Sequence, residues 1–383
     1  MITFKTFLSE ATQSGKNTHL AHIEDAVLYG GVKGTREAIF ALRAMRDMLA
    51  GNSNKNYDLT VKWDGAPAVF AGIDPSDGQF FVAKKGIFNK NPKVYKSEAE
   101  VRADTSGNLA DKLSIAFNEL KKLGITDVIQ GDIMFTSNDV ETETIDGELY
   151  YTFQPNTIVY AIPVNSSMGK EIKKAKLGVV FHTTYKGQDF ESMQAQYNVN
   201  LSGLKKISSV WYQSAEYRDI TGKATLSATE TAEVTALLSN AGKIFQRIAS
   251  STIRELEANQ ELAKNIETFN NTFVRKGERI TNTTKHVSDL ISWFNARYNK
   301  ERDKRKTEKG KANVTKKEQE LMKFFSTSNK SNLKLIFDLQ NALVEVKLLI
   351  INKLDKVKQL DTFIRTKNGF RVTGSEGFVA IDK

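Results

Sequence analysis

Leu59-Thr60-Val61-Lys62-Trp63-Asp64-Gly65-Ala66-Pro67-Ala68-Val69-Phe70 is the stretch that decides how this chain is read. Strand-forming residues on both sides of Asp64-Gly65-Ala66-Pro67 predict a β-strand, a tight turn and a second strand. Side chains alternate faces along a strand, so Thr60, Lys62 and Asp64 share one side and Val61 and Trp63 the other. Val61 and Trp63 would anchor the strand in a core. An amine and a carboxylate would then face a cleft together.

The rest of the chain frames that strand. At 383 residues with 40% hydrophobic content, it is long enough for two or three domains of ordinary globular composition. No run approaches the 18 or more apolar residues of a membrane span, and Met1-Ile2-Thr3-Phe4-Lys5 lacks the pattern of a secretory leader, so a cytoplasmic location is expected. There is no cysteine, which excludes disulfides, thiolate catalysis and zinc–cysteine sites and fits a reducing compartment. His19, His22, His182 and His286 are too scattered to define a metal cluster by spacing. A net charge of +10 favours a polyanionic partner, with nucleic acid, DNA or RNA, the first candidate.

Periodicity organises the chain into an α+β protein. Residues 17–49 read as helical, with a break at Gly30-Gly31 and a second helix carrying Ile39, Phe40, Leu42, Met45 and Leu49 on one face. Strands are expected at Lys62 and over 79–83, 127–134, 149–153, 157–164 and 177–184, with a helix over 109–123 ended by Gly124. From about Leu226 the pattern is helical, including Leu333, Leu335, Ile336, Leu339, Leu343, Val346, Leu349 and Ile350. Residues 300–317 hold nine Lys and Arg against three acids, which fits a solvated helix end or a phosphate-binding arm. Strand patterns return at Phe363-Ile364-Arg365, Phe370-Arg371-Val372 and 377–381, around a Lys367-Asn368-Gly369 turn. The divisions are thus a helical segment 1–56, the first part of a β-rich core 57–220, a basic helical insertion 221–362, and core-completing strands 363–383.

A lysine amine can attack the α-phosphate of a nucleoside triphosphate if it is unprotonated. Bringing its pKa from about 10.4 toward 7 takes about 4 kcal/mol, supplied by desolvation and neighbouring cations. Phe80-Phe81-Val82-Ala83-Lys84-Lys85-Gly86 offers such a cation, and alternation lets only one of Lys84 and Lys85 enter the same cleft. Asp132, in Gln130-Gly131-Asp132-Ile133, and Glu376, in Ser375-Glu376-Gly377-Phe378, are carboxylates beside glycine in apolar strands, where an acid is costly unless it functions. Magnesium on a triphosphate would need such groups.

The order of these motifs resembles the covalent nucleotidyltransferase superfamily of ATP-dependent DNA ligases, RNA ligases and mRNA capping enzymes. Lys62, Asp64 and Gly65 match its Lys-x-Asp-Gly motif, and Ala83-Lys84-Lys85-Gly86 is similar to its Ser-Arg-x-Gly strand end. Gly131-Asp132 resembles its Gly-Glu motif with Asp for Glu, Ile158-Val159-Tyr160-Ala161-Ile162 its base-stacking strand, and Glu376-Gly377-Phe378-Val379 its Glu-Gly-hydrophobic motif. The resemblance covers about residues 57–185 and 363–383. It implies a ligase adenylation-like antiparallel β core, ATP and Mg2+ as cofactors, and Lys62 as the nucleotidylated nucleophile beside Asp64. It also implies that Gly65, Lys84, Lys85, Asp132, Tyr160 and Lys383 bind the nucleotide, with Asp132 and Glu376 at the metal. The Asn- and Lys-rich texture is similar to that of bacteriophage proteins.

Two departures stand out. The stretch from about 187 to 362 is far longer than the usual spacing between the flanking motifs. The family's final Lys-x-Lys has no counterpart up to Lys383: the position five residues after Glu376 is Ile381, and Lys383 shares that strand face. The protein continues further, another lysine substitutes, or the first chemical step is impaired. Read without the family, Lys62–Gly65 also fits the start of a hairpin with an exposed ion pair, Asp132 a turn, and Tyr160 a core aromatic. Beside a polynucleotide ligase, the sequence admits an inactive nucleic-acid-binding or structural protein, or nucleotidyl transfer to a protein or small molecule.

Overall fold

The structure, a computed structural model, describes residues 2–4, 22–51, 58–196, 199–217, 224–276, 278–356, 360–366, 369–372 and 377–381. Along the chain, β1 (Ile2–Phe4) precedes α1 (Ala26–Tyr29) and α2 (Gly31–Leu49), followed by β2 (Asp58–Lys62), β3 (Ala68–Ile73) and β4 (Phe80–Ala83). Next come α3 (Glu98–Asp104), α4 (Gly107–Leu120), β5 (Val128–Thr136), β6 (Glu141–Ile145), β7 (Glu148–Phe153) and β8 (Val159–Pro163). After α5 (Ser167–Lys174) lie β9 (Leu177–Lys186), β10 (Gln194–Gln196) and β11 (Val210–Ser214). The helical stretch holds α6 (Ala228–Arg247), α7 (Ser250–Ala258), α8 (Gln260–Lys276), α9 (Thr283–Asp303), α10 (Glu308–Met322) and α11 (Thr327–Leu354). Finally, β12 (Asp361–Thr366), β13 (Gly369–Val372) and β14 (Gly377–Ile381) restore the β pattern. The architecture is α+β.

Contacts divide the chain into two units, Met1–His19 with Asn56–Ala224 and Lys353–Lys383, and Leu20–Lys55 with Thr225–Asn352. The first unit contains three sheets with strand orders β1-β14-β2, β10-β9-β5-β3-β4 with β11 also on β9, and β13-β12-β8-β7-β6. β5 is central, antiparallel to both β3 and β9. One face of that sheet carries Val69, Val82, Ile129, Ile133, Val179 and Phe181, and α4 covers it with Leu113, Ala116 and Leu120. Alternation in the strands and helical spacing in α4 produce that match directly. The turn of 3₁₀ helix after α4 stops at Gly124, whose φ of +74° suits glycine. A second core joins Trp63 to Met134, Phe135, Phe153, Tyr160, Val180 and Trp211.

The last strand closes onto the first part of this unit. β14 runs antiparallel to β2, pairing Gly377 with Lys62 and Phe378 with Val61. β12 likewise pairs with β8, matching Phe363 to Val159. Residues on either side of the helical stretch therefore share sheets.

The second unit is helical. α2 buries Ile39, Leu42, Met45 and Leu49, but Phe40 is 56% exposed. At 100° per residue, position 40 lies well off the 39/42/45/49 stripe, so the expected apolar face is narrower than read from sequence. α6 starts with a capping box between Ser227 and Glu230. α11 buries Leu333, Ile336, Leu339, Leu343, Val346 and Ile350, one stripe at helical spacing. The basic run 300–317 forms the end of α9 and the first part of α10, where Arg302 pairs with Glu318 and Arg305 with Glu301. No described helix is long and apolar enough to cross a membrane.

Candidate nucleotide site

The turn that follows Lys62 is pressed onto β5. Ala66 N–H donates to the Ile133 carbonyl at 3.0 Å, and Ile133 N–H donates back to the Pro67 carbonyl at 3.0 Å. Ala68 then pairs with Asp132 as β3 begins. A Cβ added to Gly65 would lie 2.5 Å from Asp132 Cβ and 3.0 Å from Met134 Sδ. Glycine is required here because the backbone of the turn touches the β5 side chains. Gly65 and Asp132, two residues that sequence reading assigned to one site, are thus in contact.

Lys62 is the last residue of β2 and is half-buried. Val61 and Trp63 pack on the second core, as alternation required. The strand ends at Lys62, so alternation does not extend to Asp64. Asp64 is only 5% exposed. Its carboxylate accepts from Asn156 Nδ2 at 2.8 Å, Thr157 N at 2.5 Å and Ile158 N at 2.7 Å. Instead of facing a cleft beside Lys62, it staples the turn to the segment leading into β8. A carboxylate with three donors can be buried because its charge is compensated locally.

Tyr160, the suggested base platform, belongs to the core. It is 2% exposed, stacks on Trp63 at 5.3 Å and on Phe153 at 5.6 Å, and its hydroxyl accepts the Asp64 N–H at 2.8 Å. Its aromatic partners and its hydroxyl both work to hold the Lys62–Gly65 segment.

The two lysines after β4 separate. Lys84 Nζ bonds to Asp104 at 3.2 Å and lies 5.7 Å from the Tyr95 ring, on the edge of the core that α4 covers. Asp104 is held well below the usual carboxylate range by Lys93, Tyr95 and Lys84. Lys85, starting the short 3₁₀ turn after β4, acts elsewhere: its charge is felt at His182 on β9. His182 sits at a bulge, since Gln130 pairs with Thr183 and Gly131 with Phe181. Burial, and secondarily Lys85, push its pKa down to about 4. The imidazole is therefore neutral near pH 7, and the 3.7 Å approach of Nε2 to Asp132 Oδ2 is not an ion pair there.

Gly65, Asp132, His182 and Lys85 are linked by these contacts and fields, with Lys62 at the end of the adjoining strand. Glu376 and Lys383 lie outside the described residues; the neighbouring Gly377 pairs with Lys62. Sequence reading missed His182 and Asn156. His182 occupies a bulge, which no periodic pattern announces, and Asn156 precedes a strand as one polar residue among several.

Among the described residues no group of three His, Cys, Asp or Glu could hold a metal ion. Mg2+ commonly takes one or two carboxylates plus substrate phosphates, so Asp132 is the described residue that would meet it.

A family model, Family of unknown function (DUF6267), matches residues 17–383. The chain belongs to DUF6267. No curated protein and no solved structure matches it. For this DUF6267 chain, function must therefore be argued from the site.

Proposed function

We propose that this DUF6267 chain is a ligase-like nucleotidyltransferase that takes AMP from ATP onto Lys62 and passes it to the 5′-phosphate of a nucleic acid. The observation that carries the reading is the contact between Gly65 and Asp132, which joins two separate motifs of the resemblance at the end of the strand bearing the amine. The pairing of Gly377 with Lys62 adds the backbone of a third.

In the proposed step the neutral Lys62 amine attacks the α-phosphorus of ATP. A P–N bond forms, the bond between the α-phosphorus and the bridging oxygen breaks, pyrophosphate leaves, and the amine releases its proton to solvent. Lys85 would offset charge on the phosphates. Mg2+, when bound at Asp132, would neutralise charge on the phosphates. The nucleic acid 5′-phosphate then displaces Lys62 from the AMP, and a 3′-hydroxyl finally displaces AMP to join the ends.

Incubation with ATP labelled at the α-phosphate tests the reading. Trapped label on the wild-type chain, one AMP mass on the Lys62 peptide and no label on Lys62→Ala are expected. No label on wild type, or equal labelling of Lys62→Ala, would end it.

The burial of Asp64 favours a second reading, because its carboxylate is committed to the 156–158 segment. On that reading the chain is a catalytically impaired nucleic-acid-binding member of the same fold. Pyrophosphate release from ATP that depends on Mg2+ and Lys62 would count against it.

A further inference from the structure

The helical unit carries most of the chain's excess charge. Residues 20–55 and 225–352 hold 27 Lys and Arg against 19 Asp and Glu, eight of the chain's ten net positive charges. Much of this surplus is paired: Arg302 with Glu318, Lys317 with Glu261, Lys311 with Glu308. One face of α9 is different. Trp293, Arg297 and Lys300 follow one another at steps of four and three residues, and Lys304 adds a fourth position at the C-cap. Such spacing puts all four on one side of a helix. With Ala296 and Glu301 they line a groove of about 490 Å³.

Three observations give this groove a ligand class. Arg297, Lys300 and Lys304 are exposed, and among the described residues none of them forms an ion pair. The one acid in the lining, Glu301, is already bonded to Arg305 at 2.9 Å. The Arg297 guanidinium lies over the Trp293 indole, 5.3 Å from its centroid, and Trp293 also meets Phe269 at 5.5 Å, which fixes the ring. A helix macrodipole would account for cations in the last turn alone. It does not account for an arginine stacked on an indole two turns earlier.

We infer that this face of α9 binds single-stranded nucleic acid, phosphates on Lys300 and Lys304 and a base stacked on the Trp293–Arg297 pair. Flat aromatic and guanidinium surfaces stack bases without regard to sequence, and flanking cations track the backbone. From Trp293 to Lys304 the helix rises about 16 Å, which is about five stacked nucleotides at 3.4 Å each. The choice of nucleic acid deepens the acceptor proposed above and rests on that reading. The surface itself does not require chemistry at Lys62.

The test is fluorescence anisotropy of the full chain with fluorescein-labelled 12-mers of oligo-dT and oligo-U, across a salt series. R297E/K300E/K304E is expected to weaken binding by about tenfold or more. It should also flatten the slope of log affinity on log salt by about 1.4, two phosphate contacts at about 0.7 each. Trp63 and Trp211 are buried in the β unit, so quenching of tryptophan emission on binding should vanish in Trp293→Phe. K170E/K174E/K206E, an equal charge change on a groove of the β unit, should bind as wild type. No oligonucleotide binding by wild type, full affinity in the α9 triple variant, an equal loss in the β-unit variant, or binding without Trp293 quenching would each overturn the inference. AMP labelling of Lys62 is read separately, so either proposal can fail alone.

Discussion

A methyl group on Gly65 would lie 2.5 Å from the Cβ of Asp132. The turn after the proposed nucleophile is therefore moulded to β5, and Gly65→Ala must push the two apart. We expect a destabilisation of about 1–3 kcal/mol, the usual range for overpacking, and at least a tenfold loss of AMP labelling. Urea denaturation and trapped label would report the two effects. Unchanged stability would mean the turn is not packed as described.

Asp64 distinguishes a structural carboxylate from a reacting one. Asp64→Ala leaves three donors, from Asn156, Thr157 and Ile158, without their acceptor. Asn156 and Thr157 are exposed and can turn to water, whereas the Ile158 N–H is buried. An unmet buried donor costs about 1–3 kcal/mol, so a loss of about 1–3 kcal/mol is expected. Tyr160→Phe, which removes the acceptor of the Asp64 N–H, should cost about 1 kcal/mol. If Asp64→Ala unfolds at the wild-type urea midpoint, the staple is not as drawn.

Lys84 and Lys85 should give opposite results. Lys85→Ala removes the lesser of the two causes that oppose imidazolium formation at His182, so the His182 titration should rise slightly above about 4 while burial still holds it low, with reduced AMP labelling. Lys84→Ala breaks the bond to Asp104 and should leave both readouts unchanged while lowering the melting temperature slightly. NMR titration of His182 in the two variants makes the comparison. Identical His182 titrations would show that Lys85 does not face it.

Much of this arrangement was legible in the sequence. Alternation around Val61 and Trp63, the apolar runs of β4, β5, β8 and β9, and the return of strand texture at Phe363 all have counterparts in the sheets. Two kinds of information were not legible. A strand that stops one turn early redirects its next side chain, and this moved Asp64 from the expected cleft to the 156–158 segment. A side chain's face also depends on where the regular strand gives way: β4 ends at Ala83, so sequence could not say which of Lys84 and Lys85 turns toward Asp104 at the end of α3. The exposed Phe40 and the buried Tyr160 teach the same point. Hydrophobicity gives the chance of burial, while phase along the element decides it.

Acid should destabilise the chain through two imidazoles that resist protonation, His286, which is buried, and His182, which is half-buried. His286 in the helical unit is pushed down to about 4, chiefly by burial and further by Lys285 against the opposing pull of Asp289. His182 is lowered to about 4 as well. An unfolded histidine takes up a proton near pH 6.5, which the folded form resists until about pH 4. The contribution of each is complete above pH 6.5, is lost progressively as pH falls, and levels off below about 4. Each can remove up to about 3 kcal/mol across that window. Its Nε2 lies 2.8 Å from Asn270 Oδ1, so His286→Gln retains a donor there but cannot titrate. Urea midpoints at pH 7, 6, 5 and 4.5 should fall more gently for His286→Gln than for wild type. Parallel curves would mean that His286 ionises alike in both states.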